Sequence, residues 1–180
     1  MKSMKKKLNY KVNLKNIKLF VFDVDGVLSD GSVLIDTDMS RNYNTKDSLA
    51  LRLAVKSNLD FIVISAGTSP KVKERYDFLG AKEVFMNAFS KFTILETYIT
   101  KQNILWEEVL YMGDDLPDYE CLTKVGVATC PRNAVVEIRE IVDYVSHFDG
   151  GNGAVRDVVQ QTLMLQGKWP NMKQNPRIEF

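Results

Sequence analysis

The sequence is poor in several residue types that usually announce a function. Its 180 residues include two cysteines, Cys121 and Cys130, and one histidine, His147. The cysteines lack the spacing of a metal site, so both read as unpaired thiols in a reducing cytoplasm. His147 has no partner cluster and reads as structural. Neither sign of charge dominates: 24 Lys and Arg against 23 Asp and Glu give a net charge of +1. No global field then points to nucleic acid or to an anionic membrane surface. No run approaches the roughly 20 apolar residues of a membrane span. The basic start MKSMKKK is not followed by an apolar stretch of signal-peptide length. Repeats and low-complexity segments are missing as well.

What remains is the make-up of an ordinary globular domain, 45% apolar and 26% charged. Its organising stretch is Val21-Phe22-Asp23-Val24-Asp25-Gly26-Val27-Leu28-Ser29-Asp30-Gly31. The apolar run Ile17 to Phe22 reads as a buried strand, and two aspartates follow it. Side chains alternate along an extended segment, so Asp23 and Asp25 face the same side. Two carboxylates there repel one another unless a cation or a shared proton intervenes. This suits a hard metal ion and a phosphoryl group better than it suits stability.

Residues 1–16 read as a loosely held lead-in, with some extended structure near Leu8 to Val12. After strand 1, Val33-Leu34-Ile35, the turn residues Asp36-Thr37-Asp38 and Arg41 to Asn44 read as a β-hairpin. Asp47 is a good N-cap for a helix carrying Leu49, Leu51, Leu53, Ala54 and Val55, stopped by Ser57-Asn58. Leu59 to Ile64 is a second buried strand, and Pro70 to Leu79 a helix stopped by Gly80. Val84-Phe85 is a short strand, followed by a helix from Lys91 to Lys101. Val109 to Met112, Val127 to Thr129 and Tyr144-Val145 are further strands. Tyr119 to Val125, Ala134 to Ile141 and Ala154 to Gln166 are further helices. Residues 167–180 form a polar tail. Strands alternating with helices predict an open, mostly parallel α/β sheet. In such sheets the site lies beyond the carboxyl ends of the strands. Asp23 and Asp25, Ser65, and Asp114, Asp115 and Asp118 all fall there, with Lys91 at a nearby helix start.

The chemistry of these residues is coherent. Mg²⁺ takes oxygen ligands and keeps several waters. Asp23 and Asp114 would supply carboxylates and Asp25 its carbonyl. Asp23 would then stay ionised and attack phosphorus, while Asp25 protonates the leaving alcohol and later activates water. Ser65, the backbone amide of Ala66 and Lys91 would neutralise the transferring group. Asp115 and Asp118 would orient metal-bound waters or hold Lys91. Taken singly, Ser65 reads as a turn serine, Lys91 as a surface lysine, and Tyr43, Tyr98, Tyr111 and Trp106 as packing. The order of the whole set favours chemistry.

Asp23-Val24-Asp25-Gly26-Val27, Ser65, Lys91 and Gly113-Asp114-Asp115-Leu116-Pro117-Asp118, in that order, resemble the haloacid dehalogenase superfamily of phosphohydrolases. The resemblance covers residues 17–166. It implies a Rossmann-like three-layer sandwich, Mg²⁺ dependence and an aspartyl-phosphate route, with the roles just given. A narrower resemblance, to the 3-deoxy-D-manno-octulosonate 8-phosphate (KDO 8-phosphate) phosphatase family, rests on five segments. They are Asp25 to Gly31, Asn44-Thr45-Lys46-Asp47, Gly113-Asp114-Asp115, Gly150-Gly151-Asn152-Gly153-Ala154-Val155-Arg156 and Leu165 to Trp169. It implies a sugar-acid phosphate as substrate, whose product feeds lipopolysaccharide.

From Asp25 to Ser65 there is room for a flap at about residues 29–46 and a helix, but not for a cap domain. The family closes such a site as a homotetramer, in which an arginine at the position of Arg75 reaches a neighbouring subunit's site and pairs with the substrate carboxylate. Without the resemblance, Arg75 reads as a helix-surface ion pair. The chain departs from the family in having Ser65-Ala66-Gly67 where Thr-Gly-Arg is common, and Lys46 where arginine is common. Gly67 and Phe78 differ from the acidic residue and lysine of relatives acting on nine-carbon substrates, which favours the eight-carbon one. Two other classes, an inactive regulatory module and a phosphotransfer receiver, fit less well: the first would not need the intact acid set, the second would not need Asp25.

Overall fold

In the computed structural model, which describes residues 10–171 and Lys173, six apolar segments form one sheet. The strands are β1 (Leu19–Phe22), β2 (Asp60–Ile64), β3 (Glu83–Phe85), β4 (Val109–Met112), β5 (Val127–Cys130) and β6 (Tyr144–Val145). Their spatial order is β3-β2-β1-β4-β5-β6, and every neighbouring pair is parallel. The helices are α1 (Tyr10–Asn13), α2 (Thr45–Lys56), α3 (Pro70–Leu79), α4 (Lys91–Lys101), α5 (Tyr119–Leu122), α6 (Val136–Ile141) and α7 (Ala154–Leu165). Among the described residues no helix is long and apolar enough to cross a membrane.

The two-residue period of a strand sorts its side chains between two cores. Phe20 and Phe22 of β1, with Phe61, Val63, Leu110 and Met112, pack under α2, α3 and α7. Leu19 and Val21, with Ile62, Ile64, Val109 and Tyr111, pack under α4, α5 and α6. Both faces are covered, which is why the strands read as continuous apolar runs. The result is the expected three-layer sandwich without a cap domain. Cys121 and Cys130 are buried and unpaired, and burial pushes both thiols up to about 12.

Several elements differ from the sequence expectations, each for a physical reason. Tyr10 to Val12 are helical rather than extended; Leu8 lies outside the described residues. Tertiary contacts decide this. The Tyr10 ring stacks on Tyr144 at 4.8 Å, its hydroxyl donates to Gln161, and Leu14 is buried. β1 begins at Leu19 because the Ile17 amide closes a turn onto Leu14. The flap is present, but as a loop pinned by two isolated antiparallel bridges, Ser29 with Tyr43 and Leu34 with Ser40. A lone two-stranded ribbon is marginal, and here the Asp36 carboxylate takes up the amides of Asp38 and Ser40 in its bend. Helix α5 ends at Leu122 rather than Val125, because Lys124 and Val125 both turn their amides back to Cys121.

Asp47 is not the cap of α2. Asn44 is, accepting from the Lys46 amide at 2.8 Å, so the helix starts at Thr45. Asp47 is buried in the first turn and points elsewhere. Its two oxygens accept from the amides of Gly153 at 3.2 Å and Arg156 at 2.7 Å, at the start of α7. The carboxylate of one helix thus satisfies the N-terminal donors of another.

Candidate active site

Three adjacent strands deliver the site. Asp23 follows β1 at the centre of the sheet, Ser65 follows β2 on one side, and Gly113-Asp114 follows β4 on the other. Between β1 and β4 the direction of chain progression across the sheet reverses, which opens a crevice. A cavity of about 290 Å³ lies there, lined by Asp23, Asp25, Gly26, Ser65, Ala66, Gly67, Lys91, Asp114 and Asp115 among others. Asp23 and Asp25 both line this cavity, although the chain leaves the strand conformation at Val24, where a turn begins. The chain then turns back at Gly26, with φ 84°, and the Ser29 amide closes the turn onto the Val24 carbonyl. A Cβ at Gly26 would overlap the Asp114 carboxylate, so this turn needs both the positive φ and the missing side chain.

Lys91 is the first residue of α4 and only 4% exposed. The helix dipole disfavours a cation there. Carboxylates compensate: its ammonium donates to Asp23 at 2.9 Å and to Asp118 at 2.7 Å. Burial works against its charge, but the two aspartates outweigh that and raise its pKa. Asp118 is fully buried and also accepts from the Tyr111 hydroxyl at 2.7 Å and the Asp114 amide at 3.1 Å. Holding Lys91 is therefore its position in the site, and its oxygens are occupied. Asp115 does not hold Lys91; it is exposed and caps the following turn through the Leu116 amide.

The carboxyls of Asp23 and Asp114 are both raised. Burial is the main cause for each, followed by the nearby Asp118 charge, with Lys91 opposing. Asp114 reaches about 7. Asp23, Asp114 and Asp118 bring carboxylate oxygens within 4.8 Å of one another. Asp114 Oδ1 is buried without a hydrogen-bond partner. An orphaned acceptor among repelling carboxylates fits a hard divalent cation. Asp23 and Asp114 are the members of this group best placed to hold one, because Asp118 is already taken.

Arg41 was not among the sequence candidates, yet it reaches from the flap to Asp25. Its Nε donates to one Asp25 oxygen at 2.5 Å and its Nη2 to the other at 3.1 Å. No local pattern marks it, because its partner is 16 residues away across an irregular loop. Tyr111 reads as packing from sequence, but its hydroxyl is bonded to Asp118. Tyr43, Tyr98 and Trp106 do pack, against Tyr76, Phe85 and Phe92. Arg75 does not join this cavity within its own chain. It donates to Ser48 Oγ at 2.8 Å, and its guanidinium lies 4.6 Å from the Tyr43 ring centre.

A sheet of this order with acids, Ser65 and Lys91 at its carboxyl edge is the arrangement of a haloacid dehalogenase-like hydrolase, and residues 77–157 match the model of that family. Over 161 residues the chain is 34% identical to the 3-deoxy-D-manno-octulosonate 8-phosphate phosphatase KdsC of Salmonella typhi, covering 88% of this chain and 86% of the relative. The chain belongs to the KdsC family. Two solved structures agree. A probable yrbi family phosphatase from Pseudomonas syringae is 32% identical with a TM-score of 0.86, over 89% of this chain and 93% of that one. The 3-deoxy-D-manno-octulosonate 8-phosphate phosphatase of Moraxella catarrhalis, in complex with magnesium, phosphate and KDO, is 29% identical. Its TM-score is 0.88, over 93% of this chain and 98% of that one.

Proposed function

We propose that this protein is a Mg²⁺-dependent phosphoric monoester hydrolase that converts 3-deoxy-D-manno-octulosonate 8-phosphate to the free sugar acid and phosphate, for lipopolysaccharide synthesis in the cytoplasm. The observation that carries the reaction is the single cavity shared by Asp23, Asp25, Ser65, Lys91 and Asp114. The family supports the substrate. In this reading residues 17–166 carry the activity, and 1–16 and 167–180 flank it.

Asp23 Oδ1 is tied to Lys91 and accepts from the Val24 amide, which leaves its other oxygen for attack on phosphorus. Asp25 lines the same cavity and serves the oxygen of the leaving alcohol. It gives that oxygen a proton, then takes one from the water that cleaves the aspartyl-phosphate. Ser65 Oγ, the amide of Ala66 and Lys91 hold the phosphoryl oxygens. Asp23, Asp114 and the carbonyl of Asp25 would hold Mg²⁺, which supplies positive charge to the phosphoryl group when bound. Asp118 keeps Lys91 aimed, and Asp115 shapes the turn beside Asp114. The protein works as a homotetramer, with Arg75 reaching a neighbour's site to pair with the substrate carboxylate.

The test is a phosphate-release screen over eight- and nine-carbon ulosonate phosphates and neutral sugar phosphates, with and without Mg²⁺. Turnover should require Mg²⁺ and be fastest on the eight-carbon substrate. Asp23→Asn should lower it at least about 1,000-fold. Undiminished release by that variant would sink the covalent route, and preference for a nine-carbon or neutral phosphate would sink the substrate assignment.

A further inference from the structure

We infer that Arg41 is a phosphoryl-binding residue carried on the flap, which in the substrate-free protein is parked on Asp25 and leaves it for the incoming phosphoryl group. The inference rests on reading the cavity as a phosphate site, but not on which phosphomonoester fills it.

Three observations support it. Arg41 belongs to an exposed loop, yet its side chain is only 6% exposed because its guanidinium lies against Asp25 at the edge of the site. Its guanidinium and the Ser65 hydroxyl flank Gly67, which lines the cavity. A Cβ built on Gly67 would lie 3.3 Å from Arg41 Nη2 and 3.2 Å from Ser65 Oγ. Glycine at position 67 therefore leaves a space that the guanidinium of Arg41 and the hydroxyl of Ser65 border together. A larger residue there would fill the gap between them.

The second observation is charge. Asp23, Asp25, Asp114 and Asp115 line the cavity with Lys91. Lys91 is already bonded to Asp23 and Asp118. A phosphate dianion brought among these carboxylates needs further positive charge, and Arg41 is beside them. A guanidinium offers parallel donors whose spacing matches phosphoryl oxygens as well as it matches a carboxylate.

The third is the hold on Asp25 itself. Arg41 donates to both of its oxygens, so neither is free to pass a proton to a leaving alcohol. The pair must open for Asp25 to act. The flap permits this, being anchored by two isolated bridges and by Ser69 donating to the Asp38 carbonyl, not by a strand ladder. The arriving phosphoryl group supplies the competing anion. Binding and release of the acid are then one event: the group to be cleaved draws away the cation that covers Asp25.

The probe is inorganic phosphate, titrated calorimetrically into the Mg²⁺-loaded protein, so catalytic competence is not needed for the readout. Arg41→Ala should weaken phosphate binding by about 10-fold or more, the loss expected for a charge-assisted hydrogen bond. Arg41→Lys keeps the charge without the fork and should lose much less. The kcat/KM of Arg41→Ala should fall by similar factors on the ulosonate phosphate and on a neutral phosphomonoester. Unchanged phosphate affinity in the alanine variant would overturn the proposal. Equal losses in the alanine and lysine variants would also overturn it, because they would mark an anchor for the flap. A loss confined to the acid-bearing substrate would assign Arg41 to the sugar acid instead. Should the wild type prefer another phosphomonoester, the substrate reading fails while the phosphate titration still decides the role of Arg41.

Discussion

Asp23 and Asp114 keep their protons at pH values where an exposed aspartate has lost its own. Burial and the Asp118 charge raise both, Asp114 to about 7. In the unfolded chain each titrates near about 3.9. From about pH 4 upward the metal-free folded protein therefore holds protons that the unfolded chain has released, so these two groups make it less stable as pH rises. Below the unfolded value the penalty vanishes. A cation needs the ionised carboxylates, and its stabilising effect should grow across the same window. Melting curves at pH 5 and pH 8 should show a larger gain in Tm from Mg²⁺ at pH 8; a gain equal at both would contradict the metal assignment. At this scale the sequence was legible where chemistry follows directly from a strand. Asp23, Asp25, Ser65, Lys91 and Asp114 all reach the cavity. It was not legible for Arg41, whose partner is set by the path of a loop without periodicity.

Among the elements, the strands were read almost to the residue because burial on both sheet faces writes itself as continuous apolar runs. Helix starts were less secure. Asn44 and Asp47 are both cap-type residues, and local preference does not say which one turns toward α2. The answer lies in α7, whose first amides Asp47 satisfies. Nearby, Gly150 sits so tightly against the Gly26 carbonyl that a Cβ would overlap it. The link between α2 and α7 thus seats residues 150–153 against the turn that carries Asp25. Asp47→Ala should cost about 1–3 kcal/mol through the uncapped amides. That corresponds to a fall in Tm of about 3–10 °C, read by calorimetry. The same variant should lose turnover although Asp47 lies outside the cavity lining. Full activity would show that the seat of this loop does not matter.

At the scale of the whole molecule, the flap leaves Leu34 66% and Ile35 88% exposed. Apolar side chains at the tip of an extended loop suit contact with another subunit. Mixing separately inactive Asp23→Asn and Arg75→Ala subunits, dissociated and reassembled together, should restore turnover if Arg75 serves a neighbour's site. Recovery no greater than the sum of the parents would place Arg75 in its own subunit alone. The Asp47 link has a further consequence for synthesis. It joins residues 106 and 109 positions apart. A ribosome delivers the acid pair well before residues 150–153, so the glycines packed against its turn emerge more than 100 positions later. A nascent chain therefore carries Asp23 and Asp25 before the support beneath their turn, which is complete only once α7 has emerged.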